Sequence, residues 1–340
     1  MAEQRKYWGV VAPLPAALLT QQAQQLESLG LEGLFAPQVY GPPFVPLAVA
    51  AAATTRVKLA TGIAIATSRS PFETAMAAMD LDRISGGRFV LGIGTSVQSW
   101  SGGFFGMPSD HPVGRMRETI DIVRQVVAKS HTGELKSYDG RYYQLDFSEF
   151  QPLGEPVRAH IPIWVAALRG ALIRLGAEVA DGVIGHPMWS IPWATKELPR
   201  ELEAGLRKGG RSRADVHVNV WQWLAPGNDE KQAIEDARAT VAFYAGVAQY
   251  EDYFAAHGFR DEARRLQEGV QRGDYRSVAG LVPDEMVRAF VVTGTPNEVR
   301  AKAEPLWDVA DSVCFVPPTY ALDTAKLLSY GAAIAQTFYR

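Results

Sequence analysis

Hydrophobic and polar positions along the chain alternate between two rhythms. Short runs rich in β-branched and aromatic residues fall at Trp8–Ala12, Gly33–Ala36, Val57–Ile65, Phe89–Gly94, Ile161–Ala167, Gly182–Gly185, Val216–Leu224 and Ser312–Val316. They are short for helices and read as strands. Between them apolar residues recur at helical spacing, as in Ala16–Leu29, Phe72–Ile84, Arg115–Lys129, Ala171–Ala180 and Asp229–Gly246. Eight strands, each followed by a helix, predict an α/β protein, a (β/α)8 TIM barrel, with residues 1–340 as one domain. A doubly wound sheet rarely needs so many units in a row.

Two stretches interrupt the rhythm and predict insertions after strands four and seven. Between Gly133 and Gly154 lies YDGRYYQLDF, in which Asp139-Gly140 between aromatic runs predicts a hairpin. Tyr250 to Pro296 is charged and reads as helical. There is no internal repeat or low-complexity tract.

Glycines bracket the fourth strand: Ser85-Gly86-Gly87 before it and Gly92-Ile93-Gly94 within RFVLGIGTS. A dinucleotide fingerprint opens a helix at once and needs a third glycine for packing. Here Thr95-Ser96-Val97 and a long loop follow instead. The nicotinamide-dinucleotide reading fails this context test. In a barrel the first cluster sits on the stability face and Gly94-Thr95 on the catalytic face.

Composition narrows the classes. A net charge of −3 gives no basic field for nucleic acid. The single cysteine, Cys314, rules out an internal disulfide and fits a reducing compartment. The first residues lack a signal-peptide core, and no apolar run is long enough to span a membrane. The expectation is a cytoplasmic protein.

The chemistry at the C-terminal strand ends is sparse. They read Pro13, Gln38, Ala66-Thr67, Gly94-Thr95, Ala167-Leu168, Gly185-His186, Gln222-Trp223-Leu224 and Val316-Pro317. None is Asp, Glu or Lys, so neither a carboxylate pair for glycoside hydrolysis nor a Schiff-base lysine is present. The six histidines show no metal-ligand spacing, and no metal is expected. Such a mouth suits a flat cofactor that carries the chemistry itself. Gln38, Tyr40 and His186 are the candidates for contacts that orient substrate or water; a capped loop and a hydrogen-bonded structural histidine are the plainer readings of the same residues. Trp189, Trp193, Trp221 and Trp223 are packing residues or walls for a planar group. Arg169-Gly170 opens the helix after strand five. Free N–H groups and a guanidinium there suit a phosphate, though an exposed loop arginine would look the same.

The run TGIAIATSRSPFETAMAAMDLDRISGGRFVLGIGTS, followed by RMRETIDIVRQ and YDGRYYQ, resembles the bacterial luciferase-like monooxygenase superfamily. The segments GLFAPQVYGPPFVPLA and IPIWVAALRGALIRLGAEVADGVIGHP are similar to its deazaflavin (coenzyme F420)-dependent branch. The likeness covers nearly the whole chain. It implies a third strand bulged by a non-prolyl cis peptide backing the cofactor ring, at Gly62-Ile63. It implies a contact from Thr95 to the cofactor side chain, and a phosphate site at Ala167, Leu168 and Arg169. It further implies a homodimer, for which the small-residue faces at Ala48–Ala53 and Thr74–Met79 offer close packing. Sugar-phosphate dehydrogenases of that branch carry Asp-His after strand two and Glu after strand four. Pro37-Gln38-Val39 and Val97 stand there in this chain, so their acid–base pair and their substrate do not carry over.

The resulting expectation is an oxidoreductase moving a hydride between coenzyme F420 and an organic small-molecule substrate. Its rivals are an FMN-dependent monooxygenase, a flavin-binding barrel without turnover and, last, a cofactor-free hydrolase.

Overall fold

The computed structural model describes residues 5–339. The strands are β1 (Tyr7–Val10), β2 (Gly33–Ala36), β3 (Lys58–Thr61), β4 (Ala64–Ile65), β5 (Phe89–Gly94), β6 (Tyr138–Asp139), β7 (Gln144–Leu145), β8 (Ile163–Ala167), β9 (Gly182–Gly185), β10 (His217–Pro226), β11 (Val291–Gly294) and β12 (Ser312–Val316). The helices are α1 (Ala16–Ser28), α2 (Phe44–Ala53), α3 (Pro71–Ser85), α4 (Pro112–Lys129), α5 (Gly170–Val179), α6 (Ile191–Gly209), α7 (Glu230–Ala245), α8 (Glu251–Ala256), α9 (Arg260–Arg272), α10 (Asp284–Phe290), α11 (Pro296–Ala303) and α12 (Thr324–Phe338). The fold is α/β, a (β/α)8 barrel, with β3 and β4 as two halves of one barrel strand.

The residues cluster into two compact units. The larger holds Trp8–Ile184 and Arg200–Val218. In it β1, β2, β3, β5 and β8 pair in parallel, each with the next. Trp8 packs 4.5 Å from Phe35 and 5.2 Å from Trp164, ring centre to ring centre, among strands buried on both faces. The other unit holds the described residues up to Tyr7, Gly185–Pro199 and the chain from Asn219 on. Its β10 pairs in parallel with both β11 and β12.

The local chemistry explains the boundaries. Ser70 starts α3 by accepting the Glu73 N–H at 3.0 Å, with Pro71 behind it. Gly86, at φ 65°, stops it: the Gly86 and Gly87 N–H groups close on the Arg83 and Asp82 carbonyls. Ser85-Gly86-Gly87 is therefore a helix stop. The expected hairpin is present as β6–β7. The Glu118 carboxylate pins its turn, accepting the N–H groups of Arg141, Tyr142 and Tyr143 at 2.8, 2.9 and 3.0 Å.

One expectation needs correction. The insertion after strand seven contains helices but ends in β11, a fully buried strand. Its four residues are too few to declare a period against the helices on either side. Along the small-residue faces expected at a dimer contact, Ala50, Ala51, Thr74, Ala75, Ala78 and Met79 are buried within the chain, while Ala52 is exposed and Ala48, Ala53 and Ala77 are half-buried. Among the described residues, no helix is long and apolar enough to cross a membrane.

Candidate functional site

The third barrel strand is bulged. Between the pairs Ala60↔Val90 and Ala64↔Ile93, four steps along one strand face three along β5. The Gly62-Ile63 peptide at this point is cis. Gly92 makes the bulge possible, because a Cβ there would lie 1.9 Å from the Thr61 carbonyl oxygen. At Gly94 a Cβ would lie 2.7 Å from the Ile63 Cδ1. The Thr61 hydroxyl donates to the Gly92 carbonyl at 2.6 Å and ties the two strands together. The glycines of RFVLGIGTS thus admit the neighbouring strand.

Gln38 is the second pin of the bulge. Its backbone N–H donates to the Ile63 carbonyl at 3.2 Å, and its side-chain oxygen accepts the Ile65 N–H at 2.9 Å. The same oxygen accepts from Arg69 at 3.2 Å, and the amide nitrogen donates to the Ser68 hydroxyl at 3.2 Å. Gln38, a candidate for contact with substrate, is buried and holds the backbone of Ile63 and Ile65. Tyr40 is 70% exposed, with its ring stacked 5.8 Å from Trp100 and edge-on to Phe104 at 5.9 Å. Those two rings belong to a π-helix at Ser99–Phe104 that the sequence pattern did not announce. Thr95 precedes that turn, and its carbonyl accepts from the buried Ser101 hydroxyl at 3.2 Å.

After β8 the helix opens at Arg169-Gly170, as the sequence places it. Ala167 and Leu168 are buried, Arg169 is the N-cap of α5, and among the described residues its exposed guanidinium makes no hydrogen bond or ion pair. The first N–H groups of a helix lack intrahelical partners and attract anions. One neighbour works against this. The Glu201 carboxylate lies so close to Gly170 that a Cβ there would meet its Cδ at 2.5 Å. Arg174 and Arg200 pair with Glu201 and offset its charge.

In the other unit His186 follows β9. Its Nδ1 accepts the Met188 N–H at 3.1 Å, which leaves the proton on Nε2. Tyr244 and Tyr250 approach it edge to face, at 5.1 and 5.7 Å between ring centres. Burial pushes the His186 pKa down to about 3, so the ring is a neutral N–H donor at ordinary pH. Burial likewise raises Tyr244 well above the usual phenol range, helped by Tyr320. Nearby, Tyr253 donates to the Met188 carbonyl at 2.8 Å, and His257 meets the Ser190 hydroxyl at 2.9 Å. Tyr244, Tyr250, Tyr253 and His257 come from the segment after strand seven. Sequence reasoning missed them because an aromatic residue on an amphipathic helix looks like core. Trp223 is buried, and its indole N–H has no hydrogen-bond partner among the described residues. Trp189, fully buried, packs 5.1 Å from Trp193.

Comparison with known proteins extends this picture. The family model described as luciferase-like monooxygenase matches residues 6–307. A Mycobacterium tuberculosis protein provisionally named a coenzyme F420-dependent oxidoreductase is 30% identical over 89% of this chain and 90% of its own length. The 5,10-methylenetetrahydromethanopterin reductase of Archaeoglobus fulgidus is 30% identical over 76% of each chain. Among solved structures, the coenzyme F420-dependent tetrahydromethanopterin reductase of Methanopyrus kandleri superposes with a TM-score of 0.81. It is 22% identical and covers 99% of this chain and 100% of its own.

Proposed function

The chain belongs to the luciferase-like monooxygenase family, and from that premise we propose that it is an oxidoreductase that moves a hydride between coenzyme F420 and a small organic substrate. The observation that carries this reading is the chemistry of the strand ends. Gln38 is spent on backbone, while His186 and Tyr244 are held neutral by burial. Side chains so poor in acid–base capacity leave the reaction to a bound redox group. The choice of F420 over FMN is supported by the relatives at 30% identity, whose names specify F420 or a reductase.

The residues fit such a group. The bulge at Gly62-Ile63 offers a face with no side chain at Gly62 to back a flat ring. The start of α5, beside Ala167 and Leu168, offers N–H groups to a phosphate, and Arg169 adds an exposed cation. Thr95 is the contact for the ribityl-like chain. Bound coenzyme F420 would supply the two-electron carrier. His186 would donate its Nε2 proton as a hydrogen bond to a substrate oxygen and orient it without giving the proton up.

The test is a fluorescence titration with coenzyme F420 and, separately, FMN. Tighter binding of F420 is expected; tight FMN binding with none of F420 would select the FMN-dependent monooxygenase instead. Arg169→Ala should weaken F420 binding by roughly 1.5–3 kcal/mol, the range for hydrogen bonds to charged groups. It should leave the affinity for a phosphate-free deazaflavin fragment almost unchanged. Equal losses for both ligands, or none, would move the phosphate site elsewhere.

A further inference from the structure

We propose that Gln38 and Arg69 are positioning residues, a relay from guanidinium through amide to the bulge backbone that sets how the bulge meets the cofactor. This inference rests on the functional reading above. The paired register of β2 and β3 ends at Ala36↔Thr61, where the bulge begins. The Gly62 N–H still reaches the Ala36 carbonyl at 2.8 Å. Beyond it Gln38 takes over: its backbone N–H serves Ile63 and its side-chain oxygen serves Ile65. One residue thus replaces, within the distorted segment and just beyond it, the ladder that the bulge interrupts.

An amide can do this only in one orientation. Two donors, the Ile65 N–H and Arg69, converge on the Gln38 oxygen, while its nitrogen faces the Ser68 hydroxyl. Ser68 in turn donates to the Ile65 carbonyl at 2.8 Å. Arg69 is fixed from outside. It lies 5.3 Å over the Phe44 ring and pairs with Glu73 at 3.2 Å, with its side chain 12% exposed. Its NH1 is buried and has no hydrogen-bond partner among the described residues. Burying a guanidinium costs desolvation, which the Glu73 pair and the Gln38 oxygen offset. The same geometry fixes the Gln38 amide in the orientation that the bulge requires.

The experiment compares Gln38→Leu, Gln38→Glu, Arg69→Met and Glu73→Gln with the wild-type chain. The readouts are the dissociation constant for coenzyme F420, the absorbance band of the bound cofactor and the thermal midpoint. Gln38→Leu leaves the Ile65 N–H and Arg69 without their acceptor and should weaken binding about tenfold and shift the band. Gln38→Glu keeps that acceptor and should restore affinity to within about threefold of wild type. Arg69→Met should act in the same direction as Gln38→Leu, and Glu73→Gln, which loosens one of the two contacts that hold Arg69, should act in that direction more weakly. A purely structural role would lower the midpoint without moving the band. Wild-type affinity and band in Gln38→Leu would overturn the relay alone. Should that variant not fold, Arg69→Met decides by the same criterion. A wild-type chain that binds neither F420 nor FMN would overturn the functional reading, and the relay with it.

Discussion

Gly92→Ala is expected to destabilise the protein by about 3 kcal/mol or more, at or beyond the upper end for overpacking a core. Gly94→Ala, two residues on in the same strand, should cost under about 1.5 kcal/mol. The two differ in what the new methyl meets. At Gly92 it would lie 1.9 Å from the Thr61 carbonyl oxygen and 2.9 Å from the Ile184 Cδ1. The first of these is backbone, held in place because Thr61 pairs with Ala36 and its hydroxyl binds the Gly92 carbonyl. Neither strand can retreat without breaking its ladder. At Gly94 the obstacle at 2.7 Å is the terminal methyl of Ile63, which can rotate aside, and the Ala166 Cβ stands off at 3.3 Å. Urea denaturation of the three proteins measures the difference. Cofactor affinity should fall with stability in Gly92→Ala, since the bulge itself must move. A Gly92→Ala protein within about 1 kcal/mol of wild type would mean that the bulge yields cheaply and is no rigid cofactor backing.

The barrel was legible because its strands are short, apolar and regularly spaced. Gly33–Ala36, Phe89–Gly94, Gly182–Gly185 and Ser312–Val316 fall where the pattern places them. The single run Val57–Ile65 is instead two pieces, β3 and β4. A bulge inserts a residue without changing composition, so hydrophobicity alone cannot reveal it; the position came from the family resemblance. The glycines of RFVLGIGTS were conspicuous, but their partner was not. Which backbone approaches Gly92 depends on strand order, a property of the whole sheet. Gln38 illustrates the same limit at the site. From sequence, a polar residue at a strand end looks free to meet substrate. In the fold, the interrupted ladder beside it leaves an N–H and a carbonyl to satisfy, and Gln38 satisfies both. Glu118 and the YDGRYYQ hairpin were noticed as separate signatures, and the structure joins them through three N–H groups on one carboxylate.

His186 should make the protein acid-sensitive well before its carboxylates protonate. In the unfolded chain it takes up a proton near pH 6.5; in the folded chain burial holds the pKa down to about 3. The unfolded state therefore binds more protons between these limits. The stability conferred is intact above about pH 6.5 and is lost as the pH falls towards 3, by as much as roughly 1.4 kcal/mol per pH unit. His257, lowered in the same direction by burial, adds to the slope in the wild-type protein. Comparison with His186→Asn isolates the one residue, because the contribution of His257 is common to both. The stability difference between the two proteins should shrink or reverse in favour of the variant as pH falls from 7 to 4.5. A difference that stays constant over that range would mean that His186 protonates freely in the fold. The functional consequence follows from the same equilibrium. A histidine with Nδ1 engaged by the Met188 N–H and no tendency to charge is a fixed N–H donor across neutral pH. The turnover rate should then show no ionisation near pH 6.5, while His186→Asn lowers it at every pH. A limb near pH 6.5 that disappears in the variant would instead make His186 a proton-transfer group, and the orienting role proposed for it would be wrong.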